Sequence, residues 1–297
     1  MKAAPFGYVR AGSVGEAVAA LAGAGEDGKL IAGGQSLTPL LVLRLARPSL
    51  LIDINPIPGL AEVTAIPGGL RFGALTRHRD LAAQQQHPLL AEAARWIGHT
   101  AIRTRGTLGG SLAHADPAAE LPVVALATGA VVTAAGQAGR REIPASQLFT
   151  GMLETSLGSD EIIETADFPV PQRWGFAEFA RRHGDFGLVT VVAAETGGQL
   201  RLAAGGVAGR PVRLLAAEAA VAEAGVGDAG VGEAGVLVGG PLDAARVGRA
   251  AEAAAGEIDP PADVHATAGY RRALTRVLVT RALSQLAGLP AGPTGPG

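Results

Sequence analysis

The chain has no cysteine in its 297 residues. That excludes disulfides, thiolate metal sites, cysteine-ligated iron–sulfur clusters and a cysteine nucleophile. Aromatic residues make up only 4%, so the core has to be built from aliphatic side chains. Charged residues are also few, 18%, with a formal net charge of −2 and no run of Lys or Arg. Nucleic-acid binding rests on clustered cations that neutralise phosphates, so that partner class is excluded. No apolar stretch approaches the roughly 18 residues a membrane span needs. The N-terminal "MKAAPFGYVRAGSVGEAV" has no apolar centre of signal-peptide length, because Pro5, Gly7 and Arg10 interrupt it. The reading is a cytoplasmic protein. There is no G-x-x-x-x-G-K-[ST], no H-E-x-x-H and no G-x-S-x-G, and the six histidines are scattered.

What the chain does have is glycine, 43 residues, and a length that suits about two domains at roughly 150 residues each. The pattern of elements is mixed. Residues 13–25 read as a helix, with Ser13 and Glu16 at capping-box spacing and Val14, Val18 and Leu21 on one face. "KLIAGG" reads as a strand ending in a turn. Thr38 then suits an N-cap and Pro39 a first helical position, and "SLLIDI" at 49–54 is a second strand. Residues 29–54 thus form a strand–helix–strand unit. Further on, 69–73 reads as a strand, 88 to about 98 as a helix, the region near 129–134 as a strand, and "DEIIETADFPV" as a strand. From Trp174 the pattern is strands joined by turns, then Ala-rich helices over 216–256 enclosing a low-complexity insert at 224–236. A basic helix at 268–288, with Leu274, Val277, Leu278 and Ala282 on one side, precedes a tail at 289–297 read as disordered.

Three literal G-x-G-x-x-G strings occur, "GAGEDG" (23–28), "GVGDAG" (225–230) and "GVGEAG" (230–235). A dinucleotide fingerprint must follow a strand and open a helix, whereas the first closes a helix and the others lie in low-complexity sequence. Two Gly-Gly pairs fare better. "IAGGQSL" follows a strand and precedes a helix, so its amides can line an anion-binding turn, to which Gln35 and Ser36 add donors. "GTLGGSLAHADP" repeats the arrangement at Gly109 and Gly110, with Thr107 and Ser111 as hydroxyl donors. Two such turns suit one long ligand with a diphosphate in the middle; a tight turn without a ligand is the alternative for each. His114 and Asp116 read as turn residues rather than metal ligands. "TRHRD" and "FARRHGD" read as solvated or partner-facing basic clusters.

Both glycine pairs, with "IRTRGTLGGSLAHADPAAELP", "FTGMLETSLGSDEIIETADFP", "FARRHGDFGLVTVVAA", "AAGGVAGRPVRL" and "YRRALTRVLVTRAL" in that order, resemble the FAD-binding medium subunit of the molybdenum hydroxylases, of the aerobic carbon monoxide dehydrogenase and xanthine dehydrogenase type. The resemblance runs from residue 1 to about 287. It implies an α+β fold: a two-subdomain FAD-binding domain, PCMH-type and vanillyl-alcohol-oxidase-like, followed by a C-terminal domain with antiparallel sheet and helices. The boundaries expected are 1–55 and 56–173 for the two FAD-binding subdomains and 174–288 for the C-terminal domain.

By the same resemblance, Ile31, Ala32, Gly33, Gly34, Gln35, Ser36 and Leu37 match the first FAD loop, with Gly33 and Gly34 at the pyrophosphate. Thr107, Leu108, Gly109, Gly110 and Ser111 match the second. Ile97 matches a flavin contact and Ile163 an apolar or backbone contact. Glu120 stands where many members have an Asp near the cofactor's sugar-like chain, and Ala180 where some carry a Lys near the flavin, with Arg181 or Arg182 as substitutes and Phe186 as a neighbour of the ring. FAD is implied to be non-covalent, with no metal and no catalytic side chain in this chain. The implied role is electron relay from a two-iron iron–sulfur small subunit, beside a molybdopterin-binding large subunit, in a dimer of heterotrimers. A cofactor-free assembly or scaffold subunit and a stand-alone FAD-dependent oxidase are the alternatives.

Overall fold

The computed structural model describes residues 2–182, 184–222, 235–237 and 242–290. Its first layer is a parallel sheet in which Gly7–Arg10 and Gly28–Ile31 flank Leu50–Asp53. The expected strand–helix–strand unit is present. The edge strand Gly7–Arg10 is new, and its four residues are all exposed, so no alternation betrays it in the sequence. Helix Val14–Ala24 covers the sheet with Ala17, Val18 and Leu21. Ser13 Oγ accepts from the Glu16 amide, as expected, but the Glu16 carboxylate reaches back to the Gly12 amide, one residue earlier than a capping box requires.

The helix after the first glycine pair is Leu37–Val42, with Ser36 rather than Thr38 at the N-cap position and Pro39 as its third residue. Gly34 sits at φ +70° and turns the chain directly after the strand. The Thr38 amide already bonds to Gly34 O, so helical geometry begins before the proline.

The second layer is an antiparallel sheet in the order Val63–Ile66, Gly69–Gly73, Ile162–Pro169, Val131–Gly136, Gly139–Pro144. Ion pairs Arg71–Asp167, Arg140–Glu164 and, just before a strand, Arg141–Glu161 join exposed arginines to half-buried carboxylates. Its buried residues pack against helices Pro88–Trp96 and Leu108–His114 through Phe72, Phe168, Leu89, Leu90, Leu108 and Leu112. Helix Glu120–Thr128 is buried at all nine positions, as an apolar sequence on every face demands.

A third sheet runs Arg173–Phe179, Val189–Thr196, Gln199–Gly205 and Val212–Arg213, each antiparallel to the next. Ala177, Val191, Leu200 and Leu202 face helices Leu215–Val221, Ala244–Glu257 and Ala268–Ala287. Phe176, Val192, Ala194 and Ala203 face the other way, into the core around helix Glu120–Thr128. On the last helix the buried stripe is Thr275, Leu278, Val279, Ala282, Leu283 and Leu286, while Val277 is 44% exposed. Val277 is about 100° around the helix from Leu278, which carries it off the stripe. Of the insert at 224–236, Val236 begins a short strand on Gln199–Leu200; residues 224–234 lie outside the described residues. Leu289 packs against the helical core, and 291–297 also lie outside them. Among the described residues no helix is long and apolar enough to cross a membrane.

Candidate functional site

The first glycine loop leaves strand Gly28–Ile31 and enters helix Leu37–Val42. Among the described residues no protein acceptor engages the amides of Gly33, Gly34, Gln35, Ser36 or Leu37, and the Gln35 side chain folds back to donate to Gly33 O at 3.0 Å. Five consecutive uncommitted N–H groups at a strand-to-helix turn form a donor set for an anion.

The second glycine loop is built differently. Thr107 caps helix Leu108–His114, its Oγ1 accepting from the Gly110 amide at 3.2 Å. The Leu108 amide bonds to Thr76 O, that of Gly109 to Ala74 O and that of Ser111 to Thr107 O. Every amide from Leu108 to Ser111 is therefore committed inside the protein. The expectation of a second backbone cradle is corrected: this loop offers the exposed face of Gly110 and the Ser111 hydroxyl, and its glycines serve internal packing. A Cβ on Gly109 would meet Ala74 Cβ at 2.5 Å, and one on Gly110 would meet the capping Thr107 Oγ1 at 2.7 Å.

The two loops touch. A Cβ on Gly33 would lie 2.2 Å from Arg105 O, so the first loop rests directly on the backbone that leads into the second. A chain of hydrogen bonds holds them there. Arg77 Nη1 donates to Arg105 O at 2.6 Å and Nη2 to Asn55 Oδ1 at 2.7 Å; Asn55 Nδ2 donates to Ala32 O at 2.9 Å. Asp53 Oδ1 accepts from the Asn55 amide at 2.9 Å, and Asp53 Oδ2 accepts from Tyr8 Oη at 2.6 Å. Burial works against the Asp53 carboxylate, but these hydrogen bonds outweigh it and hold its pKa below the ordinary value.

His78 completes the link. Its Nε2–H donates to Thr107 O at 2.9 Å and its amide to Gly106 O at 3.0 Å. Burial pushes its pKa down to about 4, so the ring is neutral in ordinary buffer. "TRHRD" is thus not the solvated face expected of it, since Arg77 and His78 are spent on positioning both loops. No spacing or composition signal marks Tyr8, Asp53, Asn55, Arg77 or His78 in the sequence.

Ile97, half-buried, ends helix Pro88–Trp96, and its carbonyl accepts from Arg103, which stands two residues before Arg105. Ile163 is buried in the main core, in register with Ala134 of the neighbouring strand. Glu120 opens helix Glu120–Thr128, shortly after the second loop's own helix, and is 6% exposed. Between the two helices Asp116 Oδ1 accepts from the Ala118 amide, and Ala115 holds φ +51°. From the C-terminal part, Gly184 reaches the same side: a Cβ on it would lie 2.2 Å from His99 Cε1. Nearby in the chain Phe186 is 71% exposed, and Arg181 donates to His265 Nδ1, which removes it as the obvious substitute for a lysine. Among the described residues no group of three His, Asp or Glu side chains is placed to hold a metal ion.

A family model described as the FAD binding domain in molybdopterin dehydrogenase matches residues 4–171, and one described as the CO dehydrogenase flavoprotein C-terminal domain matches 231–286. The alpha subunit of the 6-hydroxypseudooxynicotine dehydrogenase complex of Paenarthrobacter nicotinovorans is 41% identical over 298 aligned residues, covering 96% of this chain and 95% of the relative. The carbon monoxide dehydrogenase medium chain of Hydrogenophaga pseudoflava is 34% identical, covering 94% and 96%. Among solved structures, quinoline 2-oxidoreductase from Pseudomonas putida 86 superposes with a TM-score of 0.86 at 33% identity, covering 97% of this chain and 99% of the other.

Proposed function

The chain belongs to the FAD-binding family of the molybdopterin dehydrogenases, and on that premise we propose how its residues hold FAD. It is the FAD-carrying electron-transfer subunit of a molybdenum-containing hydroxylase or dehydrogenase. Bound FAD supplies a group that takes electrons singly and delivers them in pairs.

The observation that carries the site is the run of uncommitted amides from Gly33 to Leu37, seated on the Arg105–Gly106 backbone. Such a set fits a diphosphate. Ile31, Ala32, Gly33, Gly34, Gln35, Ser36 and Leu37 hold that part of the cofactor. Thr107, Leu108, Gly109, Gly110 and Ser111 form the second wall, with Glu120 behind them. Ile97 adds an apolar contact and Ile163 a backbone one. Arg77 and His78 keep the walls at a fixed separation, so the cofactor does not have to order them as it binds.

The chain works with a molybdopterin-binding large subunit and a two-iron iron–sulfur small subunit. The dimer of heterotrimers and a cytoplasmic location are parts of the same proposal, tested by the mass of the purified complex and by cell fractionation. A cofactor-free scaffold would have no use for five free amides against a second loop. The relatives named above as an alpha subunit and a medium chain speak against a stand-alone oxidase. The test is reconstitution: the purified full chain mixed with FAD and desalted should keep flavin absorbance at about one equivalent. A chain that folds but keeps none would overturn the reading.

A further inference from the structure

Two carboxyls lie buried where the FAD-binding part meets the C-terminal sheet, one of them Glu120 from behind the second FAD wall. Glu120 opens its helix at 6% exposure; Glu178, in strand Arg173–Phe179, is 7% exposed. The contact between the two parts is tight here. The Gly206 amide donates to Pro117 O at 2.7 Å, and a Cβ on Gly205 would stand 3.0 Å from the same oxygen. Thr190, directly opposite Glu178 in the sheet register, gives Glu178 Oε2 its donor at 3.0 Å. The other oxygen, Oε1, is buried with no partner among the described residues.

Among the described residues, the charged groups around the pair do not compensate it. Those acting on Glu120 are Glu178 and, from the turn before the helix, Asp116, both of its own sign. On helix Ala268–Ala287, Arg271 is bonded to Leu188 O, Gly206 O and the Asp263 carboxylate. Arg173 sits at the far end of Glu178's strand, paired with Glu195, and Arg201 lies against Gly129 past the far end of Glu120's helix. Arg95, on helix Pro88–Trp96, is paired with Glu92. After strand Arg173–Phe179, Arg181 is held by His265, while Arg182 and Asp185 are exposed. Burial first, and then the like charge of its neighbours, moves Glu120 well up from the ordinary 4.5; burial moves Glu178 the same way against the Thr190 hydrogen bond. Two buried carboxylates without a cation between them do not both ionise.

We propose that Glu120 and Glu178 hold a single proton between them at neutral pH, and that this proton seats the C-terminal sheet on the helix that follows the second FAD loop. They are positioning residues: their protonation, shared by the two parts of the chain, sets how firmly the cofactor is held. The consequence for FAD rests on the cofactor reading above; the shared proton does not. The sign follows from linkage. Both groups are raised in the folded chain, so the folded state binds more protons than the unfolded one above the ordinary carboxylate range. Stability is full below that range, falls as pH rises through it, and levels off once the folded pair has lost its proton. On the cofactor reading, FAD affinity falls where the folded pair itself titrates, above the ordinary carboxylate range, because loss of the proton loosens the seat of the sheet.

The experiment pairs FAD affinity with infrared spectroscopy on the full chain, wild type and Glu178→Gln. The side-chain amide introduced by that substitution supplies a permanent donor in place of the proton. Wild-type affinity for FAD should fall by ~10-fold or more between about pH 6 and about pH 9, and that of the variant by less than ~3-fold. Isotope-labelled glutamate should show a protonated-acid carbonyl band in the wild type at neutral pH, and that band should be missing from Glu178→Gln. Parallel pH profiles, or no protonated-acid band in the wild type, would overturn the proposal. Absence of FAD binding at every pH would instead overturn the cofactor reading, and the infrared band would still decide the pair.

Discussion

At Gly33 a hydrogen is all that fits between the first loop and Arg105 O, since a methyl carbon would stand at 2.2 Å. Gly33→Ala has to move one loop away from the other, and overpacking of this kind costs about 1–3 kcal/mol. Since the displaced atoms are the proposed FAD walls, most of that cost should fall on the cofactor and weaken FAD binding by ~10–100-fold. Gly23→Ala is the control. It lies in helix Val14–Ala24 with nothing within 4 Å of a new Cβ, and should leave FAD binding unchanged while raising stability by about 0.4–1 kcal/mol. Fluorescence titration with FAD and a urea melt of each variant check both; equal FAD affinity in the two would sink the wall assignment. The glycine pair was legible in the sequence because its strand-to-helix context is local. The Arg77–Asn55–Ala32 link was not, because it joins residues whose partners are chosen by tertiary packing and leaves no periodicity behind.

The elements that read well are those whose burial follows a period: Gly69–Gly73 with Leu70 and Phe72 inward, and Val14–Ala24 with its three buried residues on one stripe. Edge strand Gly7–Arg10, exposed throughout, had no such period. Short helices begin away from where their capping residues point, as at Leu37–Val42, where the backbone of Gly34 and not the proline decides the start. Helix Leu215–Val221 shows what element-level propensity cannot show. Its Glu218 is fully buried, accepts from the Leu202 amide at 2.9 Å, and is paired with Arg213, itself 11% exposed at the side chain. Burial raises the Glu218 pKa despite that partner. Glu218→Ala removes a buried acceptor from the Leu202 amide and from Arg213, so it should destabilise the chain by about 1–3 kcal/mol. The FAD loops lie on other elements, so the protein that stays folded should bind FAD normally. Chemical denaturation with and without FAD measures this, and a loss below about 1 kcal/mol would mean that the Leu202 amide does not depend on Glu218 as its acceptor.

On the scale of the whole chain, the boundary expected at 173/174 does not divide the interior. Helix Glu120–Thr128 belongs by sequence to the FAD-binding part, yet the residues packed around it include Phe176, Val192, Ala194 and Ala203 of the C-terminal sheet. The ring of Trp96, on the FAD side, rests 5.9 Å from that of Phe176. The sheet is therefore covered on one face by its own helices and on the other by its neighbour's, and neither part can bury its apolar surface alone. The change at Trp174 to strands joined by turns marks the boundary in the sequence, but a strand pattern says nothing about which surface covers a sheet's second face. A chain of this length would ordinarily unfold in steps if its parts had separate cores. With a shared one, heat should unfold it in a single transition. Far-ultraviolet circular dichroism, which reports all helices, and tryptophan fluorescence, which reports Trp96 and Trp174 at the seam, should give coincident midpoints. FAD, bound on one part, should shift both curves upward together, by an amount set by its concentration over its dissociation constant. If the fluorescence change came first and the bulk of the helical signal survived it, the seam would be a docking surface between two independent folds, and the shared core would carry little of the stability assigned to it.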